Sequence, residues 1–346
     1  MQYFDFRSDS STLPTREMII AISNAKLGND GYGEDPTVNE LEKISAILLG
    51  KESAVLVPSG TMGNLIALIA HCNIGEEIIV EATSHVLTSE MGGIGSIAQL
   101  TPRTIEGNRG VILSKQVKKL IRPKSKTKNT PKTGLVWIEN THNSAGGTIF
   151  PLDIAESVAE VAHDYSIPVH MDGERVFNAA VALGVDIKRI SEPIDSVMFG
   201  LSKGLCCPIG SVLVGSKKFI KKARGIRHML GGRMRQAGII AASGIIALNS
   251  MINRLSIDHT NSKRLAQGLS KFSYIQIDLK TVQTNLVRFK INGNKINGIE
   301  LTQRLKNCGI LIDYKGDGFR MVTHKDISRK AVDKALNCFK KVEDNL

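Results

Sequence analysis

Short apolar segments alternate with longer amphipathic ones through the first two thirds of the chain. Segments rich in Val, Ile and Leu predict strands at residues 54–57, 78–81, 135–139, 169–172, 196–199 and 211–214. Predicted helices lie between them, after Gly60 and over 152–165 among others. Short buried strands that alternate with helices indicate a mostly parallel sheet covered on both faces. Ligands of such sheets bind at the carboxyl ends of the strands, so residues that follow strands need the closest inspection.

Two local patterns refine this prediction. Thr37 and Glu40 have the spacing of a capping box, and Gly50 follows the apolar positions of the same segment, so we expect a helix between them. The longest apolar stretch, residues 238–252, is interrupted by serine and asparagine. It is too short and too polar for a membrane span, and we expect a buried helix there.

The pattern changes near residue 252. Beyond it the chain predicts a helix over 258–272 and further helices near 299–308 and 326–344. Strand-like segments lie at 275–279, 285–291, 309–314 and 319–323. We therefore expect an α/β protein with a large domain at 1–252, built on the mostly parallel sheet, and a small C-terminal α+β domain at 253–346.

Composition places the chain among ordinary folded proteins. Its 346 residues are 42% apolar, enough for a large core without disulfides. The five cysteines show no C-x-x-C spacing, which argues against zinc ribbons and disulfide frameworks. The N-terminal residues contain no apolar signal-peptide region. We expect a cytoplasmic protein with no membrane partner.

The net charge of +12 raises the question of a nucleic-acid partner. Residues 115–132 carry eight Lys and Arg and no acid, and residues 217–235 are also free of acids. Proteins that bind single-stranded nucleic acid interleave aromatic side chains with the charges, and these stretches contain only Phe219. We expect a solvated loop at 115–132, no nucleic-acid partner, and small anionic ligands.

A candidate anion site lies between the strand at 54–57 and the next helix. Ser59, Gly60 and Thr61 place hydroxyl groups and an accessible backbone where the helix begins. The N–H groups at a helix N-terminus bind phosphate and carboxylate groups well. An ordinary strand-to-helix turn has the same composition, so this motif alone does not decide.

Two further candidates follow predicted strands that are adjacent in sequence order. Asp172 ends one strand, where it could cap a helix or neutralise a cationic ring nitrogen. Lys203 follows the next strand between Ser202 and Gly204. An isolated lysine is usually a surface residue. With Asp172 at the neighbouring strand end, Lys203 becomes a candidate for a covalent bond to a carbonyl group.

These motifs, in this order, resemble those of the fold-type I enzymes that use pyridoxal phosphate (PLP), and more narrowly the low-specificity L-threonine aldolases of the aromatic amino acid beta-eliminating lyase/threonine aldolase family. The matching segments are DFRSD at 5–9, GYGEDPTVN at 31–39, PSGT at 58–61, ENTHN at 139–143, HMDGER at 170–175, LSKG at 201–204, MRQ at 234–236 and RMVTH at 320–324. They extend over nearly the whole chain. The resemblance implies a fold-type I PLP-dependent transferase fold.

The resemblance also implies a role for each matching residue. Lys203 would bond to PLP, Asp172 would pair with the pyridinium nitrogen, and His85 would stack on the ring. Ser59, Gly60, Thr61 and Ser202 would hold the phosphate, with Arg235 as a further candidate from the same or a neighbouring subunit. Ser8, Arg175 and Arg320 would bind the substrate carboxylate, and Arg175 would also lie beside the cofactor. No metal is implied.

The activity implied is a retro-aldol cleavage of L-threonine or L-allo-threonine to glycine and acetaldehyde by a carbon–carbon lyase. The family also implies a homotetramer built as a dimer of dimers. Two positions depart from the family: the loop 124–132 has no histidine, with Asn129 near the expected place, and Ser89 replaces an aromatic residue. His85, or a water beside it, is therefore the expected base for the β-hydroxyl proton.

Three other interpretations remain open from sequence. The chain could be another fold-type I lyase or aminotransferase that acts on a different amino acid. It could be a basic nucleic-acid-binding protein with an α/β fold. It could also be a PLP-binding protein without catalytic turnover.

Overall fold

The computed structural model describes residues 3–123, 129–293, 295–316 and 318–346. The strands are β1 Phe4–Asp5, β2 Ser53–Val57, β3 Glu77–Glu81, β4 Thr101–Ile105, β5 Thr133–Glu139, β6 Val169–Asp172, β7 Ser196–Gly200, β8 Ser211–Gly215, β9 Ile275–Gln276, β10 Leu286–Ile291, β11 Ile310–Leu311, β12 Asp313–Tyr314 and β13 Phe319–Val322. The helices are α1 Arg16–Ser23, α2 Pro36–Leu48, α3 Gly60–His71, α4 His85–Thr88, α5 Gly93–Ser96, α6 Ser114–Leu120, α7 Leu152–Asp164, α8 Val176–Leu183, α9 Ile187–Ser191, α10 Lys217–Met229, α11 Gly238–Ile246, α12 Leu255–Leu269, α13 Gly298–Asn307 and α14 Arg329–Glu343.

The large sheet has seven strands in the order β2-β8-β7-β6-β5-β3-β4. Its inner pairs β3–β5, β5–β6 and β6–β7 are parallel, and β8 runs antiparallel to both of its neighbours. Alternate residues of β2 enter two different cores, Leu56 on one face and Val55 on the other. The predicted mostly parallel sheet with both faces covered is therefore confirmed. Because β6 and β7 are parallel neighbours, the residues that follow them lie at one edge of the sheet.

The C-terminal part of the chain forms a separate antiparallel sheet, β12-β13-β10-β9. Its core also receives Phe6 from the N-terminal segment, whose strand β1 pairs in parallel with β11. Helix α12 belongs to both parts, since Leu255 packs in a core of the large sheet and Leu265 packs in the core of the small one. A boundary between 252 and 253 stays a prediction.

Most element boundaries agree with the sequence pattern, but the start of α2 does not. The N-cap is Asp35, whose Oδ1 accepts hydrogen bonds from the backbone N–H groups of Thr37 and Val38 at 3.1 and 3.0 Å. Pro36 occupies the first helical position, where its missing N–H costs nothing. The predicted Thr37 capping box is therefore wrong, and the Thr37 hydroxyl donates instead to the Lys26 carbonyl.

The two basic stretches are more regular than expected. The prediction of a loop at 115–132 is wrong for its first part, which lies in α6, while residues 124–128 lie outside the described residues. The second stretch begins with α10, which buries Phe219, Ile220 and Ala223 and leaves its lysines outward. Among the described residues no single helix has the length and apolar character to cross a membrane; the α11 region and α12 reach that threshold only as a pair bent by 67°.

Candidate active site

A cavity of about 320 Å³ opens at the carboxyl ends of β6 and β7, beside the N-terminus of α3. Eight predicted site residues line it: Ser59, Gly60, Thr61, His85, Asp172, Arg175, Ser202 and Lys203. Other polar residues of its lining are Asn64, Glu90, Glu139, Thr141, Asn143 and Glu174. The predicted residues Ser8, Arg235 and Arg320 are not part of the lining.

The anion cradle forms one wall. Ser59 is the N-cap of α3, and its Oγ accepts a hydrogen bond from the Met62 backbone N–H at 3.2 Å. At Gly60 a Cβ atom would lie 2.4 Å from Oε2 of Glu174, so a side chain there would have to push that carboxylate aside. The first-turn N–H groups of a twelve-residue helix therefore border the cavity, as phosphate binding requires.

Asp172 belongs to an acidic region of the site. It is fully buried, and Asn64 Nδ2 bridges Asp172 Oδ2 at 2.9 Å and Glu90 Oε1 at 2.8 Å. Burial, together with the negative charges of Glu139 and Glu90, raises the pKa of Asp172 to about 7. An anion in this setting is stabilised by a cation placed in the cavity.

His85 lies over the same region. Its ring Nδ1 is 2.9 Å from Glu90 Oε1, and its backbone N–H donates to Glu139 Oε2 at 2.7 Å. The hydrogen bond to Glu90 raises the pKa of His85. Ligand atoms of His85, Glu90 and Asp172 lie within 4.8 Å of one another, a spacing that also suits a metal ion. The expectation of no metal stays a prediction.

Lys203 approaches the cavity from the residues after β7. Its Nζ lies 3.4 Å from Glu174 Oε1, and its side chain is about one quarter exposed. The Thr12 hydroxyl donates to the Lys203 carbonyl at 2.9 Å and fixes the backbone there. Lys203 and Asp172 thus follow neighbouring strands and line one cavity, as the strand pattern predicted.

Arg175 is held by a partner that sequence reasoning did not identify. Its Nε and Nη2 donate to Oδ2 and Oδ1 of Asp9 at 2.7 and 2.8 Å, and both side chains are buried. Burial alone would raise the pKa of Asp9, but Arg175 and the Asn285 amide hold it well below its usual value. The DFRSD motif contains Asp9, so the motif marked the segment but not the pairing.

Arg320 lies in an adjoining cavity of about 440 Å³ that shares Asn143 with the first. Its Nη1 donates to Asn143 Oδ1 at 3.3 Å, and its Nη2 contacts the Arg7 carbonyl at 3.0 Å and Asp313 at 3.2 Å. Its Nε is buried with no hydrogen-bond partner among the described residues. Burial is the main cause that lowers the pKa of Arg320, and the positive charge of Arg175 lowers it further.

The remaining predicted residues are more distant. Ser8 caps the short turn that contains Asp9, with its Oγ accepting from the Ser10 backbone N–H. Arg235 is exposed, and its carbonyl accepts a hydrogen bond from the Asp30 N–H at 2.9 Å. Asn129 is exposed at the edge of the described residues, and Ser89 lines the Arg320 cavity.

The residues present fit a group that carries an anion, a cationic ring nitrogen and a carbonyl carbon. The cradle at Ser59–Gly60 suits the anion, the buried Asp172 carboxylate suits a ring N–H⁺, and Lys203 suits the carbonyl. PLP has these three features.

The fold and these residues define an α/β enzyme with a lysine-centred site, and comparison with known proteins agrees. The Beta-eliminating lyase family model matches residues 5–292. The low-specificity L-threonine aldolase 1 of Arabidopsis thaliana is 38% identical over 344 residues, with 98% of this chain and 96% of that protein covered. The low specificity L-threonine aldolase of Escherichia coli K12 is 38% identical over 327 residues, covering 94% and 95%. The chain therefore belongs to the beta-eliminating lyase family.

The solved structure of Leishmania major threonine aldolase superposes with a TM-score of 0.84 at 16% identity and covers 98% of this chain and 99% of its own. A Sphingomonas wittichii serine palmitoyltransferase, at 17% identity, has a TM-score of 0.75 and covers 99% and 88%. The predicted fold-type I architecture and the family resemblance are thus both confirmed.

Proposed function

We propose that the protein is a PLP-dependent threonine aldolase, a carbon–carbon lyase that cleaves L-threonine and L-allo-threonine to glycine and acetaldehyde. One observation carries the proposal: a buried Asp172, a reachable Lys203 and an anion cradle line a single cavity. The names of relatives that are 38% identical over nearly the full chain support the same activity.

The predicted site residues that line the cavity would each have a part in this reaction. When bound, PLP supplies an electron-withdrawing ring that stabilises negative charge on Cα as the Cα–Cβ bond breaks. Asp172 would keep a proton on the ring nitrogen, and Lys203 would hold the cofactor covalently. Ser59, Gly60, Thr61 and Ser202 would bind the phosphate, and His85 would pack against the ring.

The cationic side of the site binds and orients the amino acid. Arg175 and Arg320, assisted by Ser8, hold the substrate carboxylate, which turns the Cα–Cβ bond toward the orientation for cleavage. A base must take the proton of the β-hydroxyl. His85, or a water held beside it, is the candidate because His85 lines the cavity.

Assembly and location belong to the same proposal. The family resemblance supports a homotetramer built as a dimer of dimers and located in the cytoplasm. Arg235 is exposed and outside the lining of its own cavity, which favours a role in a neighbouring subunit's site. Mixing Lys203→Ala with Arg235→Ala chains tests this: exchanged dimers should recover about half the activity of a wild-type dimer. No recovery after verified exchange would contradict it.

The activity itself is tested with the purified, PLP-loaded protein. Incubation with L-threonine or L-allo-threonine should release glycine and acetaldehyde in equal amounts, and Lys203→Ala should abolish the release. Release of pyruvate and ammonia would indicate a different lyase, and a yellow protein without turnover would indicate a binding role. Borohydride reduction should label the peptide that contains Lys203, and the exposed Lys218→Ala variant is the matched control. A label on any other lysine would contradict the assignment.

A further inference from the structure

Glu174 is a carboxylate in the cavity that the reaction described above does not use. It lines the cavity with a side chain only 16% exposed. Its Oε1 lies 3.4 Å from Nζ of Lys203, the residue proposed to bond to the cofactor. Its backbone N–H donates to Asp172 Oδ1 at 3.1 Å, which fixes the residue to the end of β6.

The space around the Glu174 carboxylate depends on two glycines. A Cβ at Gly200 would lie 2.0 Å from Oε1, and a Cβ at Gly60 would lie 2.4 Å from Oε2. A side chain at either position would push the carboxylate group aside. Glycine at both positions therefore leaves the space that the Glu174 carboxylate occupies beside Lys203.

We propose that Glu174 receives the ammonium group of Lys203 once the substrate has displaced it, and so favours Cα–Cβ cleavage over removal of the Cα proton. This inference rests on the proposed function. In the exchange one C=N bond to the cofactor breaks at Lys203 and one forms at the substrate nitrogen. The substrate enters as an ammonium ion and Lys203 leaves as one, so the number of protons is unchanged.

The consequence for reaction choice follows from the protonation of the lysine. A neutral amine beside Cα can take its proton, whereas an ammonium ion has three donors and no acceptor. The ion pair of 3.4 Å holds the Lys203 nitrogen at the Glu174 carboxylate. An ammonium group held there has no lone pair to accept the Cα proton, and the bond left to break is Cα–Cβ.

The ion pair is tested first without the reaction, in the full-length chain with PLP removed. Competitive acetylation at fixed pH, read by mass spectrometry against surface lysines, reports how much of Lys203 is a neutral amine. Glu174→Gln should raise the labelling of Lys203 roughly two- to fivefold, as expected for loss of a partly exposed ion pair. Gly200→Ala should raise it too, because it displaces the carboxylate without removing the charge. Glu40→Gln, a change of an exposed glutamate, should leave it unchanged.

The second test uses the PLP-loaded enzyme. It compares removal of the Cα proton with cleavage of the Cα–Cβ bond. The rate at which the α-proton of L-alanine exchanges with D₂O is followed by NMR. This rate is divided by the rate of threonine cleavage. Glu174→Gln should raise this ratio several-fold, and Glu174→Asp should restore part of the difference. Unchanged labelling in both variants, or an unchanged ratio, would overturn the inference. A wild-type protein that fails to cleave threonine would overturn the proposed function, while the labelling would still decide the ion pair.

Discussion

Asp9 and Asp172 are two buried carboxylates in the same part of the molecule with opposite electrostatics. Asp9 receives a bidentate pair from Arg175, and its pKa is held well below the usual value. Asp172 faces Glu90, Glu139 and a cavity, and its pKa is raised to about 7. The first carboxylate has its cation within the chain. The second has space for one, which supports the proposed role of Asp172 beside a cationic ring nitrogen.

The largest expected effect concerns His85, which lines the same cavity as Asp172. His85→Asn should lower threonine cleavage about 10²–10⁴-fold, the usual contribution of a general base, and should leave the bond between Lys203 and PLP intact. Because Glu90 raises the pKa of His85, wild-type kcat should increase as pH rises through that pKa. His85→Phe should keep the packing on the ring but lose this pH dependence. If His85→Phe cleaves threonine at the wild-type rate, the base lies elsewhere.

A second substitution breaks the ion pair between Asp9 and Arg175. Asp9→Asn leaves the buried Arg175 charge without its carboxylate, and we expect a loss of about 3–5 kcal/mol in the free energy of unfolding. The control is Asp5→Asn, which removes a more exposed pair with Arg7 and should cost no more than about 1 kcal/mol. Chemical denaturation of the variants measures both. Equal losses in the free energy of unfolding in the two variants would contradict a structural role for the ion pair between Asp9 and Arg175.

The next prediction concerns Arg320, which is proposed to bind the substrate carboxylate. Arg320→Ala should raise KM for threonine and lower kcat, with about 2–5 kcal/mol lost in transition-state binding, because the residue both binds and orients the carboxylate. Arg320→Lys keeps the charge but not the planar fork and should recover only part of the loss. Steady-state kinetics of the two variants settle the matter, and unchanged constants in Arg320→Ala would remove it from the site.

The last prediction concerns the pH dependence of stability. A carboxyl whose pKa is about 7 when folded and about 3.9 when unfolded binds more protons in the folded state between these values. The free energy of unfolding of the PLP-free protein should therefore fall as pH rises from about 4 to 7. Asp172→Asn should reduce that slope. A slope as steep in the variant as in the wild type would show that Asp172 is not the titrating group.

The positions of Asp172 and Lys203 were predictable because strand patterning is local. Each residue follows a short run of apolar positions, and parallel strands place such residues at one edge of a sheet. The partners of these residues were not predictable in the same way. Asp9 and Arg175 are separated by 166 positions, and no local pattern reports a contact over that distance.

The same contrast holds for smaller features. The Asp35 cap was missed although Asp and Pro together mark a helix start, because Thr37 and Glu40 offered a competing pattern two residues later. Glu90 and Glu174 were not assigned roles, since a glutamate in a polar segment carries no sign of burial. Their contacts with His85 and Lys203 appear only in the folded structure.

The N-terminal segment has a consequence for how the chain is made. Phe4 pairs with Ile310, and Asp9 pairs with Arg175, so the segment binds residues synthesised much later. Synthesis proceeds at about 5–20 residues per second, which leaves β1 without its partner for roughly 15–60 s. During that interval the large sheet can form while the N-terminal segment has no pairing partner. The pairing of β1 with β11 therefore forms only after the C-terminal strands have left the ribosome.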